Sequence, residues 1–163
     1  MADKTGPGTE AEAPWPSILL GDDDPALVAG LSEVLGFHGF TCDHARSWPV
    51  LMERLSAGSY DLLILEMRLG RVDVVHHFAE LASSTTAPVI FLTKDGLETD
   101  CILALEKGAA GVLRKPVSGR EIVARVRAQL RRSATLARPP EPQQTWRVAG
   151  GEPCPFAPSA TST

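Results

Sequence analysis

The side chains best suited to chemistry in this sequence stand directly after short apolar runs. Asp22 and Asp23 follow "SILLG", Glu66 ends "LLILE", Thr93 ends "PVIFLT" and Lys115 ends "AGVLRK". Three carboxylates brought together favour a hard divalent cation, and oxygen-rich ligation is what Mg²⁺ prefers. A lysine ammonium and a threonine hydroxyl suit phosphoryl oxygens. These residue types therefore predict metal and phosphoryl chemistry, provided that the fold brings them to one place.

The apolar runs are typical of strands that alternate with helices around a parallel sheet. Short apolar stretches alternate with longer amphipathic ones, which is the signature of repeated β-α units. The first, third and fourth stretches are apolar throughout, as central strands covered on both faces should be. The predicted strands are 17–21, 40–44, 62–66, 88–93 and 110–115. An open five-stranded α/β sandwich follows, with the polar strand endings at one edge of the sheet.

Helix signals agree with this arrangement. Asp24 and Pro25 form an N-cap and first-position pair for the first helix. The fourth helix is predicted to stop at Gly108, since glycine best tolerates a left-handed C-cap. The fifth helix, "SGREIVARVRAQLRR", buries one aliphatic stripe and carries arginines elsewhere. His76 and His77, on the predicted third helix, point about 100° apart and are expected to face solvent.

Composition excludes several classes of protein. The chain has 163 residues, 44% of them hydrophobic and 22% charged, with a net charge of −4. These are globular values, so we expect neither direct nucleic-acid binding nor a membrane partner. Three scattered cysteines without metal-ligand spacing favour a reducing, cytoplasmic location. No apolar run reaches the roughly 18 residues of a membrane span.

The change in amino-acid composition along the chain predicts one folded domain between two irregular segments. Residues 1–16 are poor in large aliphatics and are expected to be a disordered leader. Residues 17–133 form the predicted domain. Residues 134–163 are rich in Pro, Gly, Ser and Thr, so we interpret them as linker and tail without a complete effector domain.

Residues 17–133 resemble the receiver domain of bacterial two-component response regulators, nearest to those of winged-helix transcription factors. The resemblance is carried by "ILLGDDDPAL", "DLLILEMRLG", "PVIFLT" and "GAAGVLRKPVSGREIVARVRAQLRR", in that order. It implies a flavodoxin-like sheet with strand order 2-1-3-4-5 and five helices. It also implies a cis peptide before Pro116 and Mg²⁺-dependent phosphotransfer from a histidine kinase. The implied ligands of a weak Mg²⁺ site are Asp22, Asp23, Glu66 and the backbone carbonyl of Arg68.

Two positions depart from that family. Glu66 occupies the place of the phosphoacceptor aspartate, and Val112 occupies the place of the aromatic switch residue that accompanies Thr93 and Lys115. The extra methylene moves the carboxylate about 1.5 Å further from the backbone. Such a displacement can cost about 10²-fold in rate, so Glu66 is predicted to be a poor acceptor. Two interpretations stay open: Glu66 partly imitates the phosphorylated state, or the site is vestigial.

The resemblance also implies a homodimer through helix 4, strand 5 and helix 5. Four charged residues match such an interface: Glu106, Glu121, Arg125 and Arg127. The alternative is a solvated amphipathic helix with no partner. A protein partner, either a histidine kinase or another regulator, is expected in both cases.

Three functions are consistent with the sequence. The first is an atypical receiver that acts by protein contact and is not an enzyme. The second is a winged-helix-class regulator that has lost its DNA-binding domain, because no recognition helix follows the linker. The third is a small α/β phosphatase or nucleotide-binding protein. The chain lacks GxxxxGK[ST] and GxGxxG motifs, and Arg68 stands where a second catalytic acid is needed, so the receiver is favoured.

Overall fold

The computed structural model describes residues 14–137, in which β-strands and α-helices alternate. The strands are β1 (Ser17–Gly21), β2 (Thr41–Ala45), β3 (Leu62–Glu66), β4 (Arg68–Leu69), β5 (Val72–Asp73), β6 (Val89–Thr93) and β7 (Gly111–Arg114). The helices are α1 (Pro25–Phe37), α2 (Trp48–Ala57), α3 (Phe78–Ser84), α4 (Glu98–Glu106) and α5 (Gly119–Ala137). The predicted leader and tail fall mainly on residues outside this range and stay predictions there, but residues 134–137, which were assigned to the tail, belong to α5.

The main sheet is parallel throughout, with the order β2-β1-β3-β6-β7. Here β6 and β7 are the fourth and fifth predicted strands, so the flavodoxin-like order 2-1-3-4-5 is confirmed. A parallel connection needs a crossover, and a helix provides each one. The carboxyl ends of the strands therefore share one edge, which is where the chemical side chains were expected.

Each central strand contributes to two apolar layers because successive side chains point to opposite faces of a sheet. One layer lies between the sheet and helices α2, α3 and α4, and the other lies between the sheet and helices α1 and α5. The first contains Leu19, Leu63, Leu65, Phe91, Leu51, Leu81 and Ala104. The second contains Ile18, Leu20, Ile64, Ile90, Val28, Leu31, Ile122 and Val126. This double burial explains why β1, β3 and β6 carry uninterrupted apolar runs.

The predicted helix signals act as expected. The Asp24 carboxylate accepts hydrogen bonds from the amides of Ala26 and Leu27, with Pro25 as the first helical residue. Gly108 follows α4 with a φ of 114°, in the left-handed region that favours glycine. Within residues 14–137, no helix is both long and apolar enough to span a membrane.

The segment after β3 differs from the prediction. Strands β4 and β5 form a short antiparallel hairpin, which turns at Gly70 with a φ of 63°. His76 and His77 lie in the turns before α3 rather than on it, although both are exposed as predicted. Two-residue strands leave no periodic signal, and Gly70 was the one residue that indicated this turn.

Candidate functional site

The expected residues converge at the carboxyl edge of the sheet. Glu66 pairs in register with Leu92, and Thr93 pairs with Arg114. The sheet hydrogen bonding continues past the strand ends, since the amide of Lys115 donates to the carbonyl of Thr93 at 2.8 Å. The peptide between Lys115 and Pro116 is cis, as the family resemblance implied. Glu66, Thr93 and Lys115 therefore border one cavity of about 340 Å³, together with Asp23 and Arg68.

Lys115 joins the two buried carboxylates at this edge. Its Nζ lies 2.6 Å from Oδ2 of Asp22 and 2.5 Å from Oε2 of Glu66. The three side chains are 8%, 6% and 12% exposed, in the order Lys115, Asp22, Glu66. Burial lowers the pKa of Lys115, but the hydrogen bonds to Asp22 and Glu66 outweigh it and raise the pKa above its ordinary 10.5. The ammonium is therefore charged at neutral pH and neutralises one of the two carboxylates.

The other oxygens of these carboxylates are held by the backbone. Oδ1 of Asp22 accepts the amide of Asp24 at 2.9 Å. Oε1 of Glu66 accepts the amide of Met67 at 3.1 Å. Each of the four oxygens thus has a donor, which is what buried carboxylates require.

This arrangement does not fit the Mg²⁺ site that the resemblance implied. Two of its carboxylates, Asp22 and Glu66, are turned toward Lys115, and the third, Asp23, is exposed. In the part of the chain that the structure describes, no three His, Cys, Asp or Glu side chains are grouped to hold a metal ion. A divalent ion would have to displace the ammonium from the same oxygens.

Thr93 is buried beside this ion-paired cluster, but its hydroxyl makes no hydrogen bond with Glu66. Thr93 is 4% exposed and lines the cavity. The hydrogen bonds of the Glu66 carboxylate go to Lys115 and to Met67, and among residues 14–137 none connects Glu66 with Thr93. Glu66 thus reaches one of its two expected neighbours, because a charged ammonium is a stronger partner for a carboxylate than a neutral hydroxyl.

Gly96 lets the loop after β6 close over Thr93. A Cβ at position 96 would lie 2.6 Å from Cγ2 and 2.8 Å from Oγ1 of Thr93. We therefore expect Gly96→Ala to displace Thr93 or the loop and to lower the free energy of unfolding by about 1–3 kcal/mol. Urea denaturation measures the effect. Gly58→Ala is the control, because Gly58 is extended with nothing within 4 Å of an added Cβ, and it should change stability by less than about 0.5 kcal/mol.

Val112 occupies a packed position. It pairs in register with Phe91 and packs against the apolar layer beneath α2, α3 and α4. A β-branched side chain has few rotamers and no ring that could swing between the core and the surface. This position therefore supports packing in this chain.

Sequence reasoning did not identify an acid-histidine pair at the mouth of the cavity. Oδ2 of Asp73 lies 3.0 Å from Nδ1 of His76, and Oδ1 accepts the His76 amide at 3.2 Å. Burial raises the pKa of Asp73, but these hydrogen bonds outweigh it and lower the pKa below its ordinary 3.8. His77 instead contacts the Asp73 carbonyl and the ring of Trp48. The D-x-x-H spacing after Gly70 was the available signal.

The four predicted dimer-face charges are not all on one surface. Nε2 of Gln129 donates to the carbonyl of Ala110, the residue before β7. Glu121 and Arg125 lie on the same helical stripe as Gln129, at four-residue intervals. Arg127 lies about 200° around the helix from Arg125. Its Nη2 is 3.3 Å from Nδ1 of His38, at the end of α1. Arg127 therefore belongs to the α1–α5 surface, apart from the stripe beside β7.

The fold and this site define a receiver domain of two-component signalling. A family model described as the response regulator receiver domain matches residues 18–127. The chain belongs to the response regulator receiver family.

Three curated relatives, each named as a transcriptional regulatory protein, support this assignment. CpxR of Klebsiella pneumoniae is 41% identical over 116 residues, which is 71% of this chain and 50% of that protein. The CpxR homolog of Haemophilus influenzae is 36% identical over 118 residues, which is 72% of this chain and 52% of that protein. BasR of Escherichia coli K12 is 36% identical over 116 residues, with shares of 71% and 52%. The chain spans about half the length of these relatives.

Solved structures agree in fold. A two-component response regulator from Clostridium difficile superposes with a TM-score of 0.69 at 27% identity, covering 72% of this chain and 98% of that one. The BeF3-activated receiver domain of Klebsiella pneumoniae RstA gives a TM-score of 0.65 at 25% identity, covering 71% and 98%. The receiver fold is therefore shared with complete receiver domains.

Proposed function

We propose that this chain is an atypical receiver whose output does not depend on phosphorylation and which acts by contact with another protein. The observation that carries the proposal is the 2.5 Å ion pair between Oε2 of Glu66 and Nζ of Lys115. In this pair the residue at the acceptor position already holds the lysine that would stabilise a phosphoryl group. The site is thus occupied by the protein's own charges.

Glu66 is poorly arranged to be a nucleophile. One carboxylate oxygen is paired with Lys115 and the other accepts the Met67 amide, so attack on a phosphorus atom would first break one of these contacts. The longer side chain also moves the oxygen out of line with a donor held at the sheet edge, and such a displacement costs about 10²-fold or more in rate. Both effects oppose covalent phosphorylation.

Glu66 imitates part of the phosphorylated state in this proposal. It contacts Lys115 and the Met67 amide, as an added anionic group at this edge would. Among residues 14–137, however, it makes no hydrogen bond with the hydroxyl of Thr93. Since Val112 has no ring to report a Thr93 movement, we expect a shift of only about 1 kcal/mol toward the active state. A vestigial site would produce no shift.

The test of the proposal is incubation of the wild-type chain with acetyl phosphate and Mg²⁺, followed by intact-mass spectrometry. We expect the mass to stay unchanged, without the added mass of about 80 Da that a phosphoryl group brings. Stoichiometric addition that maps to Glu66 would show that the glutamate is a working acceptor and would overturn the proposal.

The proposed partner surface is the face formed by α4, β7 and α5. Ile102 and Leu105 on α4 are 48% and 50% exposed, and α4 and α5 also carry the exposed charged residues Glu106, Glu121 and Arg125. Exposed apolar side chains on a face that also carries charges are typical of an interaction patch. A second copy of this chain is the simplest partner, and a histidine kinase or another regulator is the alternative.

We expect Leu105→Glu to weaken self-association about tenfold or more, because it places a charge at the centre of the patch. Sedimentation equilibrium measures the dissociation constant. Phe37→Glu is the control, since Phe37 is an apolar residue on α1 that is 88% exposed and lies outside the proposed face. Equal weakening by both variants, or a monomeric wild type at all concentrations, would rule out this interface and leave a different protein as the partner.

A further inference from the structure

The Lys115 ammonium stands where a divalent cation would be needed to neutralise the carboxylates at the sheet edge. Its Nζ contacts Oδ2 of Asp22 and Oε2 of Glu66 at 2.6 and 2.5 Å. We propose that Lys115 is the resident cation of this site, so that the protein folds and acts without a divalent metal ion. The inference rests on the same Glu66–Lys115 pair as the proposed function, but it concerns metal binding rather than phosphorylation.

The carboxylates themselves require a cation. Asp22 and Glu66 are both buried, and two buried like charges repel each other unless a positive charge lies between them. Lys115 supplies that charge, and the amides of Asp24 and Met67 satisfy the outer oxygens. The cluster is left with one net negative charge and with a donor at each carboxylate oxygen.

A metal ion would compete with the ammonium for the same atoms. Mg²⁺ needs near-octahedral oxygen ligands and gives up its waters reluctantly. Its two buried ligands here would be the oxygens that already hold Lys115, and the remaining carboxylate, Asp23, is exposed. The ammonium is part of the chain and needs no binding from solution, so it is favoured over a weakly held ion.

The length of Glu66 makes this exchange possible. Its extra methylene extends the carboxylate by about 1.5 Å relative to aspartate, and this reach brings Oε2 to the ammonium. A shorter acid would leave the contact longer and its oxygens freer to bind a metal. Metal independence is thus a consequence of having glutamate, and not aspartate, at position 66.

Thermal unfolding with Mg²⁺ and binding of Mn²⁺ test the inference. The wild-type melting temperature should change by less than about 1 °C between EDTA and about 10 mM MgCl₂ at equal ionic strength. Lys115→Met removes the resident cation, so its melting temperature should rise by about 5 °C or more with the metal. Its Mn²⁺ affinity, measured from the spin-resonance signal of free Mn²⁺, should exceed that of the wild type by about tenfold or more. Lys94→Met is the matched control, because Lys94 lines the same cavity but is exposed, and it should stay as insensitive as the wild type.

Glu66→Asp provides the second variant. It keeps Lys115 but shortens the acid, so it should also gain a metal response, and it decides the question if Lys115→Met does not fold. A wild type stabilised by Mg²⁺ as strongly as the variants, or the absence of any gain in Glu66→Asp, would overturn the inference. Metal binding by the wild type without phosphorylation would overturn this inference alone, whereas phosphorylation of the wild type at Glu66 would overturn the proposed function.

Discussion

Replacement of Lys115 by methionine is expected to lower the free energy of unfolding in metal-free buffer by about 3–5 kcal/mol. The reason is the uncompensated charge that the variant leaves behind. Asp22 and Glu66 would stay buried without the ammonium that lies 2.6 and 2.5 Å from their oxygens. Urea denaturation with linear extrapolation measures the change, and the slope of the transition shows whether the native state stays compact.

A triple variant that removes all three charges of the cluster is the control for this result. If the loss comes from unpaired charge, the triple variant Lys115→Met, Asp22→Asn, Glu66→Gln should recover most of the stability, because it leaves no buried charge without a partner. A loss below about 1 kcal/mol for Lys115→Met alone would mean that water reaches the carboxylates and that the cluster is weak.

The pH dependence of the wild type follows from two groups with shifted pKa values, Lys115 in the ion-paired cluster and Asp73 beside His76. The folded-state pKa of Lys115 lies above its ordinary 10.5, so its contribution to stability is complete below pH 10.5 and is lost as pH rises through the raised value. The folded-state pKa of Asp73 lies below its ordinary 3.8, so its contribution is present above pH 3.8 and is lost as pH falls through the lowered value. Both losses therefore fall outside the neutral range.

Glu66→Asp is expected to convert the chain into a phosphate acceptor. The shorter acid would withdraw from Lys115, free its oxygens and move them toward the in-line geometry that phosphoryl transfer needs. With Thr93 and Lys115 already at the sheet edge, acetyl phosphate and Mg²⁺ should label the variant at least about 10²-fold faster than the wild type. Intact-mass spectrometry over time measures both rates.

The same variant separates imitation from a vestigial site. Under imitation, Glu66→Asp without phosphoryl donor should weaken self-association or partner binding, and Glu66→Gln should weaken it without restoring phosphorylation. The expected change is modest, about 1 kcal/mol or some fivefold in affinity. If the three forms associate equally and the aspartate form stays unlabelled, the site is a relic.

Much of the fold could be predicted from the sequence because buried parallel strands leave a strong signal. The uninterrupted runs before Glu66 and Thr93 reflect burial on both faces of the sheet, and the observed ends of β3 and β6 agree with them. The β4–β5 hairpin left no such signal, since two-residue strands have no period. The surplus length of α5 was also missed, because exposed helix ends carry little apolar pattern.

The residues that make up the site could be predicted from the sequence, but the hydrogen-bond partners of each side chain could not. Strand endings placed Asp22, Glu66 and Lys115 together, yet which oxygen meets which donor depends on side-chain reach, and that is decided only in three dimensions. The same limit applies to Thr93, which lies beside Glu66 without a hydrogen bond between their side chains. Arg127 is different: its angle from Arg125 follows from helix geometry alone and could have been predicted.

The most direct test of the central claim is whether the wild-type site responds to a phosphoryl analogue. We would record amide ¹H–¹⁵N spectra of the wild type and of Glu66→Asp before and after addition of beryllofluoride and Mg²⁺. Because Glu66 and Lys115 are already paired with each other, we expect unchanged wild-type signals for Thr93, Gly96 and Lys115, and shifted signals for the aspartate variant. Shifts of these amides in the wild type would contradict the claim, since they would show that Glu66 still accepts the analogue.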